Sequence, residues 1–109
     1  MSRAKGNVAE ERACQFLFDL GYLIVERNFY SRFGEIDIIA SRDEVLHFIE
    51  VKSAQDYELA IQNITPRKLS RVIKTAQVYM KKNALNADFT FDAVIVTPES
   101  IEIVENITL

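Results

Sequence analysis

The amino-acid order predicts an α/β domain: a mixed central sheet of about five strands flanked by helices, in the order α-β-β-β-α-β-β. Three observations carry it. A stretch with helical periodicity ends at a glycine (Val8 to Leu20, then Gly21); β-rich runs follow with short polar connections; and Thr65-Pro66 opens a second helical stretch before two more apolar runs. At 109 residues and 12.5 kDa the chain is expected to form one domain with a modest core.

The first helix is expected over Val8 to Leu20, with Ala9, Ala13, Phe16, Leu17 and Leu20 on one face and Gly21 as its stop. Leu23-Ile24-Val25 begins a first strand that runs into Arg27-Asn28, and Phe29 to Phe33 reads as a linking turn closed by Gly34. Glu35 to Ala40 and Val45 to Lys52 are the next two strands. The polar Ser41-Arg42-Asp43-Glu44 between them is short enough to make them antiparallel neighbours. Gln55 to Asn63 fits either a loop or a short helix. Thr65 then supplies a capping hydroxyl and Pro66 the first helical position of a helix that buries Leu69, Val72, Ile73, Ala76 and Tyr79 or Met80 and stops near Asn83. Phe89 to Thr97 reads as a strand buried on both faces, opened by Asp92, whose plainest role is to end it. Ile101 to Ile107 alternates apolar and acidic residues as an edge strand does.

Composition excludes several classes. Hydrophobic residues make up 49% and charged residues 27%, the balance of a globular protein rather than a disordered one. No apolar run reaches the ~18 residues of a membrane span, and the basic N-terminus (Arg3, Lys5) has no apolar core behind it, so neither a membrane nor a secretion signal is expected. Cys14 stands alone and reads as a small buried hydrophobe in a reducing, cytoplasmic compartment. A net charge of −3 argues against an indiscriminate nucleic-acid binder. The charge is uneven, however: Arg67, Lys68, Arg71, Lys74, Lys81 and Lys82 lie in a stretch with no acid, which is either a solvated helix face or a phosphate track.

The chemistry-bearing residues are acids inside apolar strands. Asp37 sits among isoleucines in Gly34-Glu35-Ile36-Asp37-Ile38-Ile39-Ala40, and Glu50 and Lys52 flank Val51 in Phe48-Ile49-Glu50-Val51-Lys52-Ser53. A charge in an apolar interior costs several kcal/mol unless it is paired or holds a metal. Strand alternation puts Glu50 and Lys52 on one face, and Asp37 joins them if the register of the adjacent strand allows. Two carboxylates and a backbone carbonyl, that of Val51, are the hard oxygen ligands magnesium or manganese takes, and a lysine beside them can position water or stabilise developing negative charge. The competing reading is an ion network of Asp37, Lys52 and Glu50 without catalysis, and spacing alone leaves both open. Glu10 is either a further ligand reaching in from the first helix or a solvated helix acid. His47 points away from Glu50 and is expected to be a surface or satisfied imidazole. Ser53 either meets a phosphate or starts a loop, and Arg32 in the turn is a further candidate phosphate contact.

These residues resemble the YraN family of uncharacterised bacterial proteins, which has the PD-(D/E)XK restriction-endonuclease-like fold. The resemblance runs through Gly6, Ala9-Glu10, Ala13, Gly21-Tyr22, Arg27-Asn28, Gly34 to Ala40, Phe48 to Lys52, Lys68 and Phe91-Asp92, in the family's order over nearly the whole chain. The core is also similar to that of archaeal Holliday-junction resolvases. The resemblance implies Asp37 and Glu50 as metal ligands, Lys52 as catalytic base or water-positioning residue, and Glu10 as an accessory acid. Three positions depart from the pattern: Ile36-Asp37 lacks the preceding proline, Tyr30 replaces a basic residue, and Ala54 replaces an arginine. The leading expectation is a magnesium- or manganese-dependent endonuclease acting on DNA, branched or damaged DNA included, with Arg32, Ser53, Arg67, Lys68, Arg71 and Lys74 on the nucleic acid. Symmetric duplex cleavage would call for a homodimer. The alternatives are a nucleic-acid-binding module of the same fold without turnover, and a protein-interaction adaptor.

Overall fold

The computed structural model describes residues 2–108, with side chains from Val8 onward. Arg3, Lys5 and Gly6 therefore lie outside the described side chains. A five-stranded mixed sheet is flanked by helices. The elements are α1 (Ser2–Asp19), β1 (Leu23–Ser31), β2 (Gly34–Arg42), β3 (Val45–Ser53), α2 (Tyr57–Gln62), α3 (Pro66–Lys82), β4 (Asp88–Val96) and β5 (Ile101–Val104). The strands lie in the order β1-β2-β3-β4-β5. Pairing is antiparallel for β1–β2, β2–β3 and β4–β5, and parallel for β3–β4. The parallel step requires a crossover, and α2 and α3 supply it.

α1 begins six residues earlier than its apolar periodicity suggests and stops at Asp19, so Leu20 falls outside it and is exposed. Its end is set by Gly21 at φ 92°, where the Tyr22 amide reaches back to the Leu17 carbonyl and that of Gly21 to Phe18. Ala9, Ala13 and Leu17 bury one stripe against Ile38, Ala40, Ile49, Val94 and Val96. α3 is capped by Thr65, whose hydroxyl accepts from the Lys68 amide. It packs Val72, Ala76 and Tyr79 on the other face, against Phe29, Ile36, Ile39, Phe48 and Phe91. The ambiguous segment forms the short helix α2, started by Asp56 accepting from the Leu59 amide, and its Ala60 is buried against Ala93 and Ile95.

Three strand expectations need correction. β1 continues through Phe29 to Ser31, because pairing with Gly34 to Ile36 holds these residues extended; the turn is only Arg32-Phe33. Asp92 does not open or end β4 but sits at its centre, fully buried, where a sequence window shows no partner for it. β5 stops at Val104, and the chain then turns at Asn106 in the left-handed region (φ 56°).

Candidate active site

Asp37 lies where the regular sheet breaks. β2 pairs with β3 from Arg42↔Val45 to Ile38↔Ile49, and the ladder ends there. One step further Asp37 would face Glu50. Instead, the Val51 amide donates to Asp37 Oδ2 at 2.8 Å, so the carboxylate fills the gap between the two strands. The neighbouring isoleucines mark the same break: Ile36 belongs to the α3-side core and Ile38 to the α1-side core, although strict alternation would put them on one face. On β1 the pairing skips Asn28 between Arg27↔Ile38 and Phe29↔Ile36, and Asn28 adopts φ 53°. Asparagine tolerates this conformation better than most residues.

Glu50 and Lys52 share a face of β3, and Lys52 Nζ lies 3.0 Å from Glu50 Oε1, with about one fifth of each side chain exposed. The structure thus brings Asp37, Glu50 and Lys52 to one end of the β2–β3 pair. Glu10 approaches from α1 on the opposite side of the sheet. Its Oε1 accepts from Asn28 Nδ2 at 2.9 Å and lies 3.5 Å from Arg27 Nη2, while Arg27 Nη1 is 2.6 Å from Glu11 Oε1. Arg27 and Asn28 belong to the site's framework although neither reads as a site residue from spacing. The usable signal is an asparagine at the middle of a strand.

The electrostatics of the site are dominated by Asp37. Burial, then the negative charge of Glu50, raises its pKa to about 7. The Val51 amide works the other way, and Glu10 and Glu35 add smaller upward pushes. A carboxyl so placed favours either a proton or a cation. The N–H and C=O of one strand residue face the same neighbour, so the Val51 carbonyl is turned toward this gap as well. Two carboxylates and a carbonyl, with acidic neighbours, fit a hard divalent cation. Among the described residues, no three His, Cys, Asp or Glu side chains converge as a ready-made cage for one.

The basic candidates fall into two groups. Arg32 and Phe33 form the β1–β2 turn. Arg32 Cζ lies 4.9 Å and Lys74 Nζ 5.7 Å from the centre of the Phe33 ring, and Arg71 packs its Cβ beside Gly34. Lys68 is set apart: its ammonium donates to the Asn63 carbonyl at 3.0 Å. Arg67 is exposed in the first turn of α3, and Ser53 is exposed at the end of β3.

Two titratable residues lie elsewhere. His47 is buried on the α1 side, with Nδ1 2.6 Å from Asp92 Oδ2 and its ring edge-on to Tyr22, so it is a satisfied imidazole. Cys14 is half-buried, and burial pushes its thiol pKa up, which keeps it protonated and poorly nucleophilic.

The profile of an uncharacterised protein family, UPF0102, matches residues 9–96, a span that holds every residue of this site. The chain belongs to the UPF0102 (YraN) family. It is 70% identical over the full length of both chains to a UPF0102 protein of Sulfurimonas denitrificans. It is 57% identical, again over both full lengths, to one of Wolinella succinogenes. A Helicobacter pylori UPF0102 protein is 55% identical over 97% of this chain and 92% of its own. None of the described helices is long and apolar enough to cross a membrane.

Proposed function

We propose that the chain is a metal-dependent endonuclease that hydrolyses DNA phosphodiester bonds. The observation that carries this reading is Asp37, a partly buried carboxyl lodged in the gap between β2 and β3 beside the Glu50–Lys52 pair, with its pKa raised to about 7 by desolvation and by Glu50. Asp37, Glu50 and the Val51 carbonyl would hold magnesium or manganese, which, when bound, neutralises phosphate charge and lowers the pKa of a water. Lys52, kept beside the site by its contact with Glu50, orients the attacking water and faces the negative charge that develops on the phosphate oxygens. Glu10, oriented by Asn28 and Arg27, accepts a hydrogen bond from water on the α1 side. The exposed Arg32, Arg67, Arg71 and Lys74 hold flanking phosphates, with Lys68 and Ser53 at the margin. In this reading the protein is cytoplasmic, and cuts both strands of a duplex as a homodimer.

The test is incubation with supercoiled, linear and four-way-junction DNA plus magnesium or manganese. Cleavage is expected from the wild-type chain and is lost in Asp37→Ala and Lys52→Ala. Activity that survives both substitutions points to a contaminant and ends the proposal.

A second reading is favoured by the acidic balance (net charge −3) and by the engagement of Glu50 with Lys52: a nucleic-acid-binding module without turnover. Binding that weakens steeply with salt, with no cleavage under either metal, would support it instead.

A further inference from the structure

The basic residues of α3 are ordered. At 100° per residue, Arg67, Arg71, Lys74, Lys81 and Lys82 fall within an arc of about 100°, on a stripe about 22 Å long. All five are exposed, and the helix buries its opposite side through Val72, Ala76 and Tyr79. No acid interrupts α3. The stripe is of a length and charge to follow a nucleic-acid backbone.

Its middle is met by the β1–β2 turn. Ser31 Oγ and Thr75 Oγ1 are 2.8 Å apart, the Phe33 amide donates to Ser31 Oγ at 3.0 Å, and a Cβ on Gly34 would stand 3.4 Å from that of Arg71. The turn is thereby fastened to the helix, with the Arg32 guanidinium and the Lys74 ammonium both over the Phe33 ring. Phe33 is not part of the core clusters and stays partly exposed. A ring on a fastened turn, ringed by cations and two residues from Glu35, whose charge is felt at Asp37, has an arrangement with a definite chemical use. A nucleic-acid backbone would draw the two cations from over the ring onto its phosphates, and the ring face they leave is a stacking platform, the combination that binds unpaired nucleotides. In a continuous duplex every base is already stacked, and meeting such a ring would cost the unstacking of a base step.

We propose that Phe33, flanked by Arg32 and Lys74, stacks on an unpaired base where duplex DNA opens into single strand, while the α3 stripe holds the adjoining duplex backbone. This makes Phe33 a specificity-determining residue. It rests on the reading of the Asp37–Glu50 site as a DNA site, and narrows the substrate to DNA carrying a duplex-to-single-strand junction.

The experiment is binding of the full chain to three fluorescently labelled DNAs in EDTA: a continuous duplex, a single strand, and a forked duplex of the same sequence. The fork should bind about tenfold more tightly than the duplex, the worth of one stacked base. Phe33→Ala should remove that difference and leave duplex affinity unchanged, and Phe33→Trp should keep it. Arg71→Gln should weaken all three DNAs alike and reduce the salt slope by about one. A 2-aminopurine at the fork base should be quenched by the wild-type chain and not by Phe33→Ala. Equal affinity for fork and duplex overturns the proposal, as does a Phe33→Ala loss shared equally by both, or a Phe33→Trp variant that binds like Phe33→Ala. Because no metal is present, these readings are separate from hydrolysis. An absence of cleavage under magnesium and manganese with fork preference intact would overturn the nuclease reading alone.

Discussion

Val51 donates its amide hydrogen to Asp37 Oδ2 at 2.8 Å, one position past the last backbone pairing between their strands, Ile38↔Ile49. A side chain thus does at this point what a carbonyl does along the rest of the ladder. The carboxyl is held in place by the sheet itself, and its electrostatic discomfort is borne by the fold.

That discomfort predicts a pH dependence. The Asp37 pKa is about 7 in the folded chain, against about 3.9 for an unfolded aspartate. Between pH 4 and 7 the folded state keeps a proton that the unfolded state releases, so this contribution to stability falls as pH rises through the window and stays lost above it. Asp37→Asn, whose amide oxygen can still accept from Val51, should be more stable than wild type at pH 8 by roughly 2–4 kcal/mol. The gain should vanish near pH 3.5. Urea unfolding in EDTA at the two pH values measures it, and an equal gain at both would reject the electrostatic origin.

The same group should report a cation. A ligand that binds only the folded state raises its stability in proportion to the logarithm of occupancy, about 2.7 kcal/mol at a hundredfold excess over Kd. Manganese or magnesium should raise the melting temperature of the wild-type chain at pH 8, and not those of Asp37→Asn or Glu50→Gln. A rise that is equal in all three would place the ion elsewhere.

Asp92, unlike Asp37, is a fully buried acid. Its Oδ2 takes His47 Nδ1 at 2.6 Å, and its Oδ1 takes the Thr90 hydroxyl at 2.5 Å and the Asn106 amide at 3.0 Å. Asp92→Ala leaves three donors without their acceptor and should cost roughly 3–5 kcal/mol. Asp92→Asn, which retains one acceptor oxygen, should cost less. Urea unfolding ranks the two, and amide exchange at Asn106 should accelerate in the alanine variant before global unfolding does.

Asn28 carries two roles that substitutions separate. Asn28→Gly keeps the φ 53° backbone and loses the 2.9 Å bond to Glu10, for about 1 kcal/mol. Asn28→Ala adds the strain of a Cβ in the left-handed region, about 1 kcal/mol more. If alanine and glycine cost the same, the conformation is not what selects asparagine here.

The β2–β3 turn holds Asp43 and Glu44 at φ 53° and 66°, a mirror-image hairpin turn that prefers glycine at its second position. Glu44→Gly should therefore stabilise the chain by about 1 kcal/mol in thermal or urea unfolding. A loss of stability would show that the Glu44 side chain contributes more than the backbone relief.

How far the sequence carries depends on how local the cause is. Thr65-Pro66 and Gly21 mark helix ends because capping is decided within a turn, and both are legible. Asp37, Glu50 and Lys52 stand out because a charge breaks an apolar run. The length of β1 is not legible, since Tyr30 and Ser31 are extended only through pairing with Glu35 and Gly34. Nor is the place of Asp92, two of whose three donors come from β3 and from beyond β5. The framework around Glu10 is hidden for the same reason: Asn28 and Arg27 reach it across 18 and 17 residues of chain, from another element.

The Asp92 hub also bears on how this chain is made. Synthesis runs from α1 toward β5, so β4 emerges with a carboxylate destined for the centre of the sheet before its last donor exists. Until Asn106 and Ile107 have been added, and have turned back onto Asp92 and the Phe91 carbonyl, the middle of β4 has unmet polar groups on a strand otherwise fit to be buried. The final locking of the sheet therefore waits for the residues that follow β5, and a chain cut short within β5 would carry a half-satisfied carboxylate at the centre of its sheet.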